Sequence, residues 1–393
     1  MNPVSVFNIR SLLDQVAVLS AGIIAYPEGD RTDPVKLSYA ELRNQALQRA
    51  SWLQTREEFR PGGVILVHFR RHLDNITWSW ATILAGSIPT LSPALVSTIE
   101  GRKAHFKHLH NLLQDPLLLS RRDLLTDSFG ENEILRTVAV EEFEDYGLKE
   151  TESDSATYSQ TNGDGEGHAN DSDVAVLMLT SGSSGNCKAV CLTHQQMFAS
   201  IRGKLTVMPV SNGSSVLNWI GLDHVASLME THLLSINPLL FLRLLSKHKV
   251  SMTFAPDFFL CKLLMMLDTT SKEAKQEFDL SKLLYLVSGG EPHNIDTDAR
   301  VTRHLQSLGV SPSDLITPGF VMTEICARAI YDRNFPDIDI KAQREDGALG
   351  SSIPKIEIRI APIDANEPSP GTQSNSADSG AANGAGVLEV RRR

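Results

Sequence analysis

Leu177-Met-Leu-Thr-Ser-Gly-Ser-Ser-Gly-Asn-Cys-Lys-Ala-Val-Cys-Leu-Thr-His194 is the most informative stretch of this chain. A continuous apolar run, Val174–Thr180, reads as a strand covered on both faces. It enters Thr180-Ser181-Gly182-Ser183-Ser184-Gly185, Lys188 follows, and a second apolar run leaves the loop. Gly182 and Gly185 let the backbone approach a ligand closely and present its N–H groups. Thr180, Ser181, Ser183 and Ser184 add hydroxyl donors, and Lys188 adds a positive charge. These are the parts needed to grip a polyphosphate. The order Gly-x-x-Gly-x-x-Lys departs from the Walker A pattern GxxxxGK[ST], which argues against a P-loop ATPase. The bland alternative is a Gly/Ser turn between two hairpin strands. Thr193, with Gln196 three residues later, predicts a capped helix start after the second strand.

The same apolar pattern recurs at Val64–Phe69, Ser215–Ile220, Val250–Phe254, Leu283–Ser288 and Leu315–Thr317. Helical patterns lie between the runs, at Asn75–Gly86 and Asp257–Leu267. Such alternation predicts an α/β fold with mostly parallel sheets. At 393 residues the chain is long enough for two or three packed subdomains. Residues 150–172 and 366–386 are polar and poor in apolar side chains, so neither can bury enough surface to order itself. The first reads as a flexible linker, 151–172, between an N-terminal lobe, 1–150, and a second lobe, 173–393. The second lies between late strands, because Gly386-Val-Leu-Glu-Val390 reads as another strand.

Composition narrows the function classes. The net charge of −10 argues against a nucleic-acid surface, which needs a dense basic patch. The four cysteines, Cys187, Cys191, Cys261 and Cys326, form no CxxC pair, which suggests a reducing compartment. No leader pattern precedes Arg10, and the apolar run Val16–Ala25 is too short to span a bilayer. A cytoplasmic protein with no membrane partner is expected.

Leu179-Thr-Ser-Gly-Ser-Ser-Gly-x-x-Lys188 closely resembles the signature loop of the adenylate-forming (AMP-binding) superfamily. Its flank, Ala189-Val-Cys-Leu-Thr-His-Gln195, is most similar to fungal non-ribosomal peptide synthetase-like adenylation domains. Cys187-Lys188-Ala189 stands where the family usually has Pro-Lys-Gly. The resemblance implies the family's N-terminal core, and ATP with Mg²⁺ as cofactors. It also implies activation of a small-molecule carboxylic acid to an acyl-adenylate in secondary-metabolite biosynthesis.

Further motifs carry implied roles. Leu286-Val-Ser-Gly-Gly-Glu-Pro292 resembles the family's Gly-Gly-Glu segment, which places Gly289, Gly290 and Glu291 on the nucleotide side. Thr317-Pro-Gly-Phe-Val-Met-Thr-Glu324 resembles Gly-Tyr-Gly-Met-Thr-Glu. There Phe320 would stack on adenine, Thr323 would contact the α-phosphate and Glu324 would hold Mg²⁺ through oxygen, as a hard cation requires. Val321 replaces the usual second glycine. In Trp219-Ile-Gly-Leu-Asp-His-Val-Ala-Ser-Leu228 three readings compete: His224 beside the reacting carboxylate, Asp223 on a substrate ammonium, or Asp223 as a helix N-cap. His224 is favoured. Lys188, Thr323 and His224 are thus the candidate catalytic set, and Phe254-Ala-Pro-Asp-Phe-Phe259 is expected to line the acid pocket or the core. His105, His108 and His110 lack a completing ligand and read as a solvated helix face. Cys187 and Cys191 lack a base, so a thiol nucleophile is not expected.

The resemblance stops early. Gly347-Ala-Leu-Gly-Ser-Ser-Ile-Pro354 and residues 386–390 are similar to the last motifs of the family's large lobe. Its ribose-binding Asp and the small C-terminal lobe with a catalytic Lys have no counterpart before Arg393. A second gap is read between Leu234 and Asn237. Two expectations follow: an adenylating enzyme impaired by truncation, or a remnant that binds nucleotide or a partner protein. A carrier protein or reductase encoded elsewhere would take the acyl group.

Overall fold

The computed structural model describes residues 8–26, 33–92, 99–126, 134–150, 172–180, 187–211, 213–218, 237–271, 277–354, 356–362 and 386–392. The polar segments 151–171 and 363–385 lie outside them. The described chain is built on two mixed, mostly parallel sheets. In chain order the strands are β1 (Gly22–Ala25), β2 (Val35–Ser38), β3 (Val64–His68), β4 (Ile88–Leu91), β5 (Leu117–Ser120), β6 (Arg136–Ala139), β7 (Val174–Thr180) and β8 (Lys188–Thr193). Then come β9 (Ser215–Leu217), β10 (Val250–Phe254), β11 (Tyr285–Gly289), β12 (Ile316–Met322), β13 (Ala327–Tyr331), β14 (Ser351–Ser352), β15 (Ile356–Pro362) and β16 (Gly386–Arg392).

The first sheet runs β6-β5-β3-β4-β7-β8. Its pairs are parallel except β7 with β8. The second runs β14-β13-β12-β11-β10-β9, with β9 to β12 parallel and β13 and β14 antiparallel. β1 pairs with β2, and β15 pairs antiparallel with β16, so the late strand expected at 386–390 has its partner before the polar stretch.

Local chemistry fixes how strands feed helices. After β3, the Phe69 N–H donates to Asn75 Oδ1 at 3.2 Å, and Asn75 Nδ2 donates to the Phe69 carbonyl at 2.9 Å. This satisfies backbone groups where the strand ends and the helix His72–Ala85 begins. That helix stops at Gly86, whose φ of 91° suits a residue without Cβ. Trp52 and Trp78 meet edge-to-face at 5.7 Å, and Phe143 closes the cluster on both. The Arg49 guanidinium lies 5.3 Å from the centre of the Trp78 ring.

The sheets do not divide at 151–172. β7 and β8 belong to the first sheet, beside β4, although they follow the polar segment. The physical reason is the apolar content of β7: Ala175 through Leu179 are all buried, which requires cover on both faces. Helix starts behave as the sequence predicts. Thr193 and Gln196 form a reciprocal capping box at the head of the helix His194–Val207. β12 extends further than its apolar core, to Met322, because it is bonded to β11 on one side and β13 on the other.

Among the described residues the two sheets share a buried seam. Ala175, Val176 and Met178 of β7, Leu192 of β8 and Met197 form one buried cluster with Cys326 and Ala327, and Val190 and Val321 pack against it. Ser200 Oγ and Lys204 Nζ, both on the helix His194–Val207, donate to the Cys326 carbonyl at 3.2 and 3.1 Å. No helix among the described residues is long and apolar enough to cross a membrane.

Candidate active site

Open α/β sheets bind ligands at the carboxyl ends of their parallel strands. The described site residues fall there. Thr180 is the last residue of β7 and Lys188 the first of β8, and the two are directly paired. The hairpin loop between them carries Ser181, Gly182, Ser183, Ser184 and Gly185, which lie outside the described residues, as do Asp223, His224 and the segment read as a gap. Lys188 is exposed and Thr180 half-buried.

The histidine face of the helix Ile99–Leu113 is not simply solvated. His108 Nε2 lies 2.7 Å from the Cys187 carbonyl, so this helix braces the end of the loop. His105 is half-buried, and burial together with His108 lowers its pKa. The reason is amphipathicity: Phe106 and Leu109 are buried and draw the helix down onto the sheet. Burial raises the Cys187 thiol above its ordinary pKa, which disfavours the thiolate.

On the second sheet β11 ends at Gly289. A Cβ there would lie 2.4 Å from the Gly319 carbonyl oxygen of β12 and 3.2 Å from Val321 Cγ2. Glycine is therefore required by the approach of two strands. Gly290 has φ of +90° and open space around the position of a Cβ. Glu291 is exposed, and its Oε2 accepts from the Phe258 N–H at 3.1 Å, at the start of the helix Asp257–Thr269. Phe259 of that helix is buried core, edge-on to Phe241 at 5.1 Å.

β12 delivers the last set. Phe320 is half-buried and pairs across to Ile330. Val321 is extended, with its side chain against Gly289 and in the seam, so its β-branch suits the strand. Thr323, half-buried, and Glu324, exposed, sit on the single 3₁₀ turn Thr323–Ile325. That turn contacts β8, which brings the Lys188 strand and the Thr323–Glu324 corner together. The corner closes on Cys326 and Ala327, with φ of 56° and 77°. Two consecutive non-glycine residues in the left-handed region are sterically costly and persist only where the surroundings hold them.

Sequence reasoning missed Arg328. Its side chain is fully buried, passes over Gly319 and sets its guanidinium 4.9 Å from the centre of the Phe254 ring. The signal was present: one arginine inside an otherwise apolar strand, Ala-Arg-Ala-Ile-Tyr331. At the carboxyl end of β3, burial and the Arg70 charge hold the His68 pKa down at about 4.

Known proteins match both the chain and the fold. A profile of the AMP-binding enzyme family matches residues 14–377. Aspulvinone E synthetase of Aspergillus terreus is 38% identical over 371 residues, covering 90% of this chain and 39% of the relative's length. Microperfuranone synthase of Emericella nidulans is 39% identical, covering 91% of this chain and 38% of the relative. The chain thus spans about two fifths of the length of these curated relatives. Among solved structures, McyG A-PCP complexed with phenylalanyl-adenylate superposes with a TM-score of 0.73 at 23% identity, over 92% of this chain and 57% of that one. The adenylation domain of a keto acid-selecting non-ribosomal peptide synthetase module, bound to keto acyl adenylate, gives 0.69 at 22% identity, over 91% and 69%. At these identities the likeness bears on the fold, which is that of an adenylation-domain core. With nearly its whole described length matched, the chain belongs to the AMP-binding enzyme family, alongside fungal non-ribosomal peptide synthetase-like proteins.

Proposed function

We propose that this chain binds Mg·ATP and a small carboxylic acid and joins them as an acyl-adenylate. One carboxylate oxygen of the acid attacks the α-phosphorus, the bond from that phosphorus to the bridging oxygen breaks, and pyrophosphate leaves. The observation that carries the reading is the contact between β8, which begins at Lys188, and the Thr323–Glu324 turn. In this reading a lysine, a hydroxyl and a carboxylate from the two sheets act on one ligand.

Residues 180–185 and Lys188 hold the phosphates in this reading. The backbone of Gly289, Gly290 and Glu291 lines the adenine, and the open space beside Gly290 suits a flat ligand. Phe320 stacks on the base and Thr323 contacts the α-phosphate. His224 faces the acid. The oxygen donors of Thr323 and Glu324 fit a hard cation, so Glu324 would hold Mg²⁺, which supplies charge neutralisation when bound. Preorganised donors of this kind are worth about 3 kcal/mol each where charge develops.

The solved relatives that hold phenylalanyl-adenylate and keto acyl adenylate make phenyl-bearing amino acids and keto acids the acids to test first. A carrier protein or a reductase is the proposed acceptor. The test is exchange of labelled pyrophosphate into ATP by the purified chain, across a panel of acids. Exchange that depends on one acid supports the proposal. Binding of Mg·ATP without exchange for any acid removes the catalytic part of it.

A further inference from the structure

Away from the phosphate loop, three side chains with metal-binding atoms converge where the helix Asp257–Thr269 packs on the helix Ile295–Gln306, and a fourth, Cys261, stands beside one of them. Asp257 and Cys261 are one turn apart and share a face of the first helix. His293 directly precedes Asn294, the N-cap of the second helix, and Asp298 lies in its first turn. Donor atoms of Asp257, His293 and Asp298 lie within 4.8 Å of one another. His293 Nδ1 is 3.1 Å from Asp298 Oδ2, and Cys261 Sγ is 3.8 Å from Asp257 Oδ2. Asp257 Oδ1 accepts from the Asn294 N–H at 3.3 Å, which ties the first helix to the start of the second.

A plain His–Asp pair leaves this cluster unsatisfied. His293 is 1% exposed and Asp298 0%. His293 Nε2 and Asp298 Oδ1 are both buried without a hydrogen-bond partner among the described residues. Buried polar atoms are almost always partnered, and a buried carboxylate beside a second carboxylate calls for a proton or a cation; with His293 bound through Nδ1, it is the Asp298 carboxylate, not His293 Nε2, that the ion would satisfy. The donor set decides between cations. Magnesium and calcium take oxygen ligands, whereas imidazole, thiolate and carboxylate together suit zinc. The spacing agrees. With bonds of about 2.0 Å to N or O and 2.3 Å to S, tetrahedral ligands sit about 3.3 Å apart for N and O, and about 3.5 Å for S and O. The 3.1 Å between His293 and Asp298 is close to this, whereas Cys261, 3.8 Å from Asp257, lies outside the group of mutually near donors and has to turn its Sγ inward to complete the set.

We propose that Asp257, Cys261, His293 and Asp298 form a structural zinc site. Cys261 binds as the thiolate and releases its proton to solvent. The ion would clamp two helices to the turn that follows Gly290, because Glu291-Pro292-His293 lead directly out of it. The site thereby stiffens the Gly289–Glu291 segment without touching a reacting atom.

Elemental analysis and cobalt spectroscopy of the full chain test this. The expected result is about one zinc per chain after purification. A strong chelator should remove it with a fall in Tm that zinc restores and magnesium does not. Cobalt(II) in its place should show a thiolate-to-cobalt charge-transfer band. Cys261→Ser should lose that band while keeping the ligand-field bands, and Asp298→Asn should weaken zinc binding at least tenfold. If either variant fails to fold, the wild-type cobalt spectrum decides. Absence of retained zinc with no Tm response to added zinc overturns the proposal. So does a cobalt complex without the thiolate band, or a zinc response that both variants leave unchanged.

Discussion

Lys204, buried on the helix His194–Val207, donates from Nζ to the carbonyl of Cys326 at 3.1 Å, and Cys326 is in the left-handed region at φ 56°. A lysine is thus committed to holding a strained corner of the other sheet. Ser200 Oγ supports the same carbonyl. Lys204→Met keeps the stem and removes the donor. It should cost about 1.5–3 kcal/mol, the range for a hydrogen bond to a charged group. Urea unfolding checks this as a lower midpoint at unchanged m. Because the corner carries Thr323 and Glu324, the variant should also bind Mg·ATP more weakly by calorimetry.

Lys188 gives the opposite pattern. It is exposed at the start of β8. Lys188→Ala should leave stability within about 0.5 kcal/mol, as for most surface changes. The Mg·ATP-induced rise in Tm should shrink to a level matching at least tenfold weaker affinity, about 1.4 kcal/mol. An unchanged shift would remove Lys188 from the phosphate grip.

The two adjacent glycines should separate by mechanism. Gly289→Ala forces a Cβ to within 2.4 Å of the Gly319 carbonyl, so β11 and β12 must part, at a cost of about 3 kcal/mol. Gly290→Ala meets no atom and carries only the penalty of positive φ, about 1 kcal/mol. Thermal denaturation should rank Gly289→Ala well below Gly290→Ala. Nucleotide binding should fall in Gly290→Ala out of proportion to its stability.

Stability should fall on acidification before the carboxylates titrate. His68 is neutral in the fold down to about pH 4, whereas in the unfolded chain it protonates near pH 6.5. The unfolded state therefore binds more protons between these values. The stabilising contribution is full above about pH 6.5 and is lost as pH falls toward 4, in total about 3 kcal/mol. Burial shifts His105 and His248 the same way. Urea unfolding at pH 7 and pH 5 should show the loss, and His68→Asn should flatten the slope while the other two histidines keep part of it.

The elements most legible in the sequence were those whose burial is continuous. β3 and β7 announced themselves as nearly unbroken apolar runs, β10 and β11 as short apolar runs broken by Ser or Thr, and Gly86 and Thr193 marked helix ends through their own backbone chemistry. The placing of Phe320, Thr323 and Glu324 at one strand end was also readable, since they lie within one short motif, Phe320–Glu324. What the sequence could not give was partnership across distance. Nothing local tells that β7 lies beside β4 rather than beside the strands that follow it. The His108 contact with the Cys187 carbonyl joins residues 79 apart. Phe259 looked the same as Phe254 by composition, yet one is core against Phe241 and the other lies under Arg328. His293 and Asp298 were passed over because their third partner, Asp257, sits on another helix.

The β7–β8 hairpin is bonded to the N-terminal sheet but seals its outer face with residues 326 and 327 of the other. That makes it a poor place for recombination. A chimaera joined within 151–172 would inherit a hairpin from one parent and the β4 edge from the other, and would have to rematch both a hydrogen-bonded ladder and an apolar seal. A crossover placed just after the helix His194–Val207 keeps the ladder in one parentage and leaves only the seal to be rematched. Donor pairs that agree at Met197, Ser200 and Lys204 should therefore exchange their C-terminal portions most readily.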